Sequence, residues 1–256
     1  MTNDRFSPGQ HQLLLESEKQ VILDAAAVLQ VRRSEVVAAL ARGPVPGTDI
    51  LTSGTPAEMN RQMMAQAAEW RELHSVRSRA TVPGLQRSLP NNRRLLENGL
   101  RMESIFDAGA PGLGALLLLA NEPVGTYLLS FAPINMKIVD RSYVMLQGPD
   151  LPDGGETVMA VRTSACLNAA WRYWEVVRRH ALPAGEWVDS LTDLTPRQRQ
   201  VVALMATGIT DDAIAAALGV SVRTVRTDVA ALLDVLGVRT RFAAGVRLQL
   251  WPATDD

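Results

Sequence analysis

An α/β domain preceded by a helical extension and followed by an all-helical domain is the fold class predicted for this chain, and three observations carry it. Between residues 75 and 180, runs rich in β-branched and aromatic residues alternate with helical patterns, the mark of a layered α/β unit. From Leu194 onward only helical patterns remain, opened by Ser or Thr caps and closed by Gly. The 256 residues suffice for two modest domains, and 47% hydrophobic with 21% charged residues excludes a wholly disordered chain.

The elements follow in order. Leu13, Leu14, Val21, Ile22, Ala25, Val28 and Leu29 recur at helical spacing, so one or two helices are expected over residues 10–30. Ser34 can cap a short helix to Ala41, which Gly43-Pro44-Val45-Pro46-Gly47 stops, and a loop is expected as far as Gly54. Thr55-Pro56-Ala57-Glu58 is a capping box with proline at the first helical position; it predicts a long amphipathic helix to about Leu73. A strand is expected over Ser75–Val82, a helix over Asn91–Asn98 closed by Gly99, a strand over Leu100–Phe106 and a helix over Gly114–Asn121. Strands are then predicted at Tyr127–Phe131, Ile134–Val139, Tyr143–Leu146 and Thr157–Arg162, and a closing helix at Ser164–Arg179. The chain thus divides into an extension over 1–54, an α/β domain over 55–181, a linker over 182–193 that contains Pro183 and Gly185, and a helical domain over 194–251.

In the last domain, Thr195-Pro196-Arg197-Gln198 is a second capping box, Thr210 caps a short helix ended by Gly219, and Ser221 caps a third that runs to Leu236. Leu218-Gly219-Val220-Ser221 joins two short helices as in a helix-turn-helix, in which the second helix lies in the DNA major groove. At about 100° per residue, Val222, Val225, Val229, Leu232, Leu233 and Leu236 fall on one side of that helix, and Arg223, Arg226, Thr227, Ala230 and Asp234 on the other. Arginine suits guanine edges and phosphates, and small residues allow close approach to the groove.

Composition narrows the function classes. A net charge of −1 leaves no global field to draw the chain to nucleic acid, so DNA contact has to be local. From Leu194 to Trp251, seven arginines stand against four aspartates, a net charge of +3. Lys19 and Lys137 are the lysines among 26 basic residues, a skew expected of a GC-rich, bacterial genome. The single Cys166 and scattered His11, His74 and His180 argue against a disulfide or a metal site, and neither a signal segment nor a bilayer-spanning run is evident; a cytoplasmic protein with no membrane partner is expected. No G-x-x-x-x-G-K-[ST] segment exists, and no cofactor is expected.

Two resemblances sharpen these readings. Leu194-Thr195-Pro196-Arg197, Gly208-Ile209-Thr210, Ile214-Ala215, Leu218-Gly219-Val220-Ser221, Thr224-Val225-Arg226 and Leu236-Gly237-Val238-Arg239-Thr240-Arg241 together resemble the LuxR-type helix-turn-helix. The resemblance implies a four-helix module that binds double-stranded DNA as a homodimer through a last helix over about Arg241–Leu250. Arg223, Arg226 and Thr227, with Ser221, Thr224 and Ala230, are then expected near bases, Arg197, Arg199 and the helix start at Thr210 near phosphates, and Phe242, Val246, Leu248 and Leu250 in the dimer seam. The chain departs from the family at Gln198, where Glu is common, at Asp212 and Val235, where Lys is common, and at Asp228, where His is common. Asp212 and Asp228 are expected to oppose a polyanion.

Pro133-Ile134-Asn135-Met136-Lys137-Ile138-Val139-Asp140-Arg141, with Asn98-Gly99-Leu100-Arg101-Met102 and the helix to Ala181, resembles the phospholipase-D-like domain of TrmB-type regulators. Enzymes of that fold use H-x-K-x-x-x-x-D; setting Asp140 on the final Asp puts Pro133 at the His and Asn135 at the Lys, so no catalysis is expected. Lys137 is read as exposed or locally paired, His74 as a surface or capping residue at a helix end, Cys166 as buried and inert, and Trp70, Trp171, Tyr173 and Trp174 as core more than pocket. Ser34–Ala41 with the preceding helix, and Arg32 and Arg33, invite comparison with a degenerate winged helix, against the plainer reading of a helical hairpin. The expected function is transcription regulation, with a small-molecule or protein effector of the N-terminal domain as an open option. The alternatives are a protein-interaction regulator whose helix-turn-helix does not bind DNA by itself and, behind it, a phosphodiesterase.

Overall fold

The computed structural model describes residues 15–53, 55–109, 112–151, 155–191 and 194–249. In chain order these form α1 (Glu16–Leu40), β1 (Thr48–Ser53), α2 (Pro56–Ala67), β2 (Glu72–Arg77), α3 (Val82–Glu97), β3 (Arg101–Asp107), α4 (Leu113–Ala120), β4 (Thr126–Ser130), β5 (Met136–Val139), β6 (Tyr143–Gln147), β7 (Glu156–Val161), α5 (Ser164–Arg179), β8 (Leu182–Pro183) and α6 (Ala184–Leu191). Then come α7 (Pro196–Ala206), α8 (Asp211–Leu218), α9 (Val222–Val235) and α10 (Arg241–Gln249). The N-terminal region is mixed α/β and the C-terminal region helical.

One sheet, ordered β1-β7-β6-β5-β2-β3-β4-β8, organises the α/β region. The central pairs β2–β3 and β3–β4 are parallel, while β2–β5, β5–β6, β6–β7 and β1–β7 are antiparallel. Parallel strands need crossover helices, and α3 and α4 supply them. One face carries Ile105, Ile138, Val144 and Met159 under α1 and α5, with Leu29 and Tyr173 fully buried. The other face carries Leu73, Phe106, Leu129 and Met145 under α3 and α4.

Residues 16–53 are not a separate extension. Residues 16–40 form an unbroken helix in which Ser34 is an interior residue, so there is no turn to make a hairpin or a winged helix. Ile22, Ala25, Ala26 and Leu29 bury α1 on the sheet beside α5, and Arg33 donates to the carbonyls of Gln147 and Gly148 at 2.7 and 3.0 Å. The expected loop before Gly54 holds β1, in register from Thr48 opposite Val161 to Ser53 opposite Glu156. Alternation is absent from Thr-Asp-Ile-Leu-Thr-Ser; pairing with β7 decides its conformation.

Thr55 caps α2 by accepting from the Glu58 N–H, as the motif requires, but the helix stops at Ala67 and Leu73 lies in β2. Helix α3 is twice the expected length because Thr81 caps it early, accepting from Gly84 N–H, and Pro90 is carried inside it. Gly99, at φ +94°, turns the chain from α3 into β3. The expected linker is structured: β8 pairs antiparallel with β4, and α6 packs on α4.

The helical region also docks on the α/β region. Leu194, Val202, Ala203, Leu232, Leu236 and Ala244 join Ala115, Leu116, Leu117 and Leu119 in one continuous core, and Gln86 Nε2 donates to the Thr207 carbonyl at 3.3 Å.

Candidate nucleic-acid interface

Each helix of the C-terminal region is started by a side chain the sequence supplies for that purpose. Thr195 accepts from Gln198 N–H at 3.3 Å while the Gln198 amide oxygen accepts from Thr195 N–H at 2.9 Å. Glutamine thus closes the box, a role it shares with Glu. Thr210 accepts from Ala213 N–H, and Ser221 from Thr224 N–H at 3.1 Å. Gly219 ends α8 at φ +65°, a left-handed conformation that lets Val220 N–H reach back to the Ala215 carbonyl at 3.0 Å. A small core of Val201, Ile214, Ala215 and Val225 fixes α8 against α7 and α9.

Burial sorts the faces of α9. Val225 and Leu232 are fully buried, Leu236 is 5% exposed, and Arg223, Arg226, Thr227, Ala230 and Asp234 are exposed. One face of the helix is committed to packing along its length, while the other presents Arg223, Arg226 and Thr227 outward in its N-terminal half. Thr227 Oγ1 donates to the Arg223 carbonyl at 3.0 Å. The Thr224 hydroxyl meets that of Ser221 at 2.8 Å, so these two side chains are engaged in the cap.

The pairing of charges differs from a sum over the sequence. Asp228 is 3% exposed and is held by Arg197, with Nε 2.8 Å from Oδ2 and Nη2 3.1 Å from Oδ1. This bidentate pair raises the Arg197 guanidinium further above its ordinary value. Arg197, expected at a phosphate, is thus paired within the module while its side chain stays 54% exposed, and Asp228, expected to repel DNA, is buried against it. Both follow from helix packing: α7 and α9 bring residues 31 apart in sequence together. Arg241 pairs with Asp211 and donates to the Ile209 carbonyl, tying α10 to the start of α8. Arg226 Nε stands 3.7 Å from Asp211 Oδ2, yet its side chain stays 71% exposed. Arg199 is half-buried and engaged with neighbouring groups, whereas Asp212 is exposed in the first turn of α8. Of the seam residues, Phe242 is 84% and Val246 46% exposed; the Leu248 side chain and Leu250 lie outside the described residues. Ala244, on the opposite side of α10, is buried against the α/β region.

The α/β region shows what became of the other candidates. Asp140 and Arg141 form a turn at φ 49° and 55°, where Asp140 Oδ1 accepts from the N–H groups of Arg71 and Glu72, both at 2.8 Å. Asn135 Oδ1 accepts from Ser78 N–H at 2.8 Å. These residues brace strand ends. His74 lies on β2, half-buried between Trp171 and Trp174, with Nε2 3.0 Å from Glu72 Oε1; it is neither surface nor helix cap. Arg141 reinforces Glu72 from the other side and, with His74, holds its carboxyl below the usual range. Tyr173 and Trp174 are core, and burial pushes the Cys166 thiol up to about 11, an unreactive state at neutral pH. Lys137 is neither exposed nor locally paired. It faces a cavity together with Arg77, a residue that no sequence motif singles out.

Comparison with known proteins agrees with the C-terminal geometry. Residues 192–247 match the family model described as bacterial regulatory proteins, luxR family. A bialaphos biosynthetic pathway regulatory protein of Streptomyces hygroscopicus is 30% identical over 117 residues, 45% of this chain and 45% of that relative, so the match spans under half of the relative's length. Among solved structures, NucT from Helicobacter pylori is 11% identical with a TM-score of 0.39, over 53% of this chain and 98% of its own. TrmBL2, an archaeal chromatin protein, is 13% identical with a TM-score of 0.38, over 65% of this chain and 66% of its own. Phosphatidylserine synthase of Haemophilus influenzae Rd KW20 is 16% identical with a TM-score of 0.40, over 62% of this chain and 43% of its own. Among the described residues no helix is long and apolar enough to cross a membrane, and no group of three metal-ligating side chains converges.

Proposed function

We propose that this chain, a transcription regulator by its LuxR-type helix-turn-helix, binds double-stranded DNA sequence-specifically by laying the N-terminal half of α9 in the major groove. The observation that carries the reading is the division of α9: Val225 and Leu232 are fully buried while Arg223, Arg226, Thr227 and Ala230 are exposed on one side. Arg223 and Arg226 are assigned to base edges or flanking phosphates, and the amide ends of α8 and α9, capped by Thr210 and Ser221, to the sugar-phosphate backbone. Arg199 remains a phosphate candidate; Arg197 acts by holding Asp228. The α/β region is assigned a regulatory role without catalysis, because Pro133 offers no nucleophile and Asn135 no fixed charge.

A single module of modest positive charge binds DNA weakly, and two half-sites multiply affinity. We therefore assign a homodimer with the exposed Phe242 and Val246 of α10 in its seam. Arg223→Ala and Arg226→Ala should each cost about 1–3 kcal/mol on a cognate site identified by genome-wide mapping of bound fragments, measured by gel shift at fixed salt. Operator affinity unchanged in both variants overturns the assignment. Sedimentation that shows a monomer both free and on DNA overturns the dimer.

A further inference from the structure

A cavity of about 570 Å³ opens at one end of the sheet, where β2, β5, β6, β7 and α2 converge. Met63, Met136 and Met145 supply much of its apolar wall, and Arg77, Arg79 and Lys137 its positive charge. Asp150 is the acidic side chain among the described lining residues. Lys137 on β5 lies opposite Ser75 on β2 and opposite Met145 on β6. Arg77 stands two residues beyond Ser75 on the same face of the sheet, which makes it the diagonal neighbour of Lys137, about 7–8 Å away at the backbone.

Apart from one another, the two cations rest on uncharged groups. The Lys137 ammonium lies 3.8 Å from Met63 Sδ, and the Arg77 guanidinium 5.9 Å from the centre of the Phe106 ring. Among the described residues no carboxylate pairs with either. Elsewhere this chain matches its buried charges, Asp228 with Arg197 and Glu122 with Arg93. Withdrawal from water lowers the basicity of Arg77 and, together with the charge of Arg77, brings Lys137 down to about 7. Two adjacent cations left unmatched cost stability, and one centre bearing two negative charges relieves both. A phosphate offers several acceptor oxygens from that one centre, a match for a guanidinium fork beside an ammonium, whereas a monocarboxylate neutralises only one of the two.

We propose that this cavity binds a small organic dianion of the phosphomonoester class, its phosphate between Arg77 and Lys137 and its apolar portion against the methionines. The site stands apart from the DNA-binding reading, since no residue of α7 to α10 lines it. The test is calorimetric titration of the full chain with phenyl phosphate and, in parallel, benzoate, at about pH 7 and constant ionic strength. Phenyl phosphate should saturate one site and bind at least about tenfold more tightly than benzoate, with Lys137→Met and Arg77→Met each weakening it at least about tenfold, as expected for loss of a charge-assisted hydrogen bond. Unliganded Lys137→Met should melt no lower than the wild type, because an unmatched charge has been removed, so loss of binding there is not loss of fold. Arg223→Ala should bind phenyl phosphate as the wild type does, which separates the cavity from the DNA-facing surface. Absence of saturable binding, equal affinity for benzoate, or unchanged affinity in Lys137→Met overturns the proposal.

Discussion

At the scale of single residues, two charged groups owe their roles to their neighbours. Asp228 is nearly inaccessible while the Arg197 side chain is 54% exposed, so the two halves of the pair are not equivalent. Removing Asp228 frees an arginine that water can reach, and Asp228→Ala should cost about 1–3 kcal/mol. Removing Arg197 strands a carboxylate in the core, so Arg197→Ala should be the more destabilising of the two. Urea denaturation of both variants decides it, and the reverse order would falsify the burial argument. Lys137 gives a pH signature. Its ordinary value near 10.4 applies when unfolded, whereas the folded chain releases the proton from about 7. Between those values the unfolded state binds more protons, so stability should rise with pH. Cys166, raised from 9.0 by burial, opposes this only above about 9. From about pH 7 to 8.5 the wild type should therefore gain up to about 1.4 kcal/mol per pH unit, and Lys137→Met should lack that gain. Parallel slopes for the two proteins would refute the link.

At the scale of elements, the docking of α7 and α9 on α4 decides how the recognition helix is held. Leu232 and Leu236 anchor the back of α9 in the same core as Leu116 and Leu117, so the arginines at its front are carried on a supported rod. Truncating such a contact leaves a cavity, and Leu232→Ala should cost about 2–5 kcal/mol. Because Leu232 belongs to the shared core, chemical denaturation followed by α/β-region probes such as Trp174 should report the loss as well. A loss confined to the helical region would show that the two regions unfold separately. The elements also show where sequence reading reached its limit. Caps at Thr55, Thr195, Thr210 and Ser221 were legible because a cap is a local contract between a side chain and an N–H three residues on. The ends of α2 and α3 were not, because no local breaker marks Ala67 and Pro90 breaks nothing.

For the whole molecule, residues 16–53 and 182–191, expected in an extension and a linker, belong to the body of the protein. Helix α1 and β1 complete one face and one edge of the sheet, and β8 with α6 complete the other edge. Composition could not reveal this. A strand such as Thr48–Ser53 is stabilised by a partner over 100 residues away, and its own six residues carry no alternation.

The sequence by itself determined the two fold classes, most strands and helices of the α/β region, the helix-turn-helix with its caps and left-handed glycine, and which face of α9 is polar. These follow from periodicity and short-range hydrogen bonds, which lie within a few residues of each other. Tertiary structure alone decided which charges are free. It buried Asp228 against a half-exposed Arg197, left Arg223 and Arg226 facing solvent, and gathered Arg77 and Lys137 into one cavity. The physical reason is that charge pairing and desolvation depend on distances through space, and the strands and helices that set those distances meet only when the sheet closes and α4 receives the helical region.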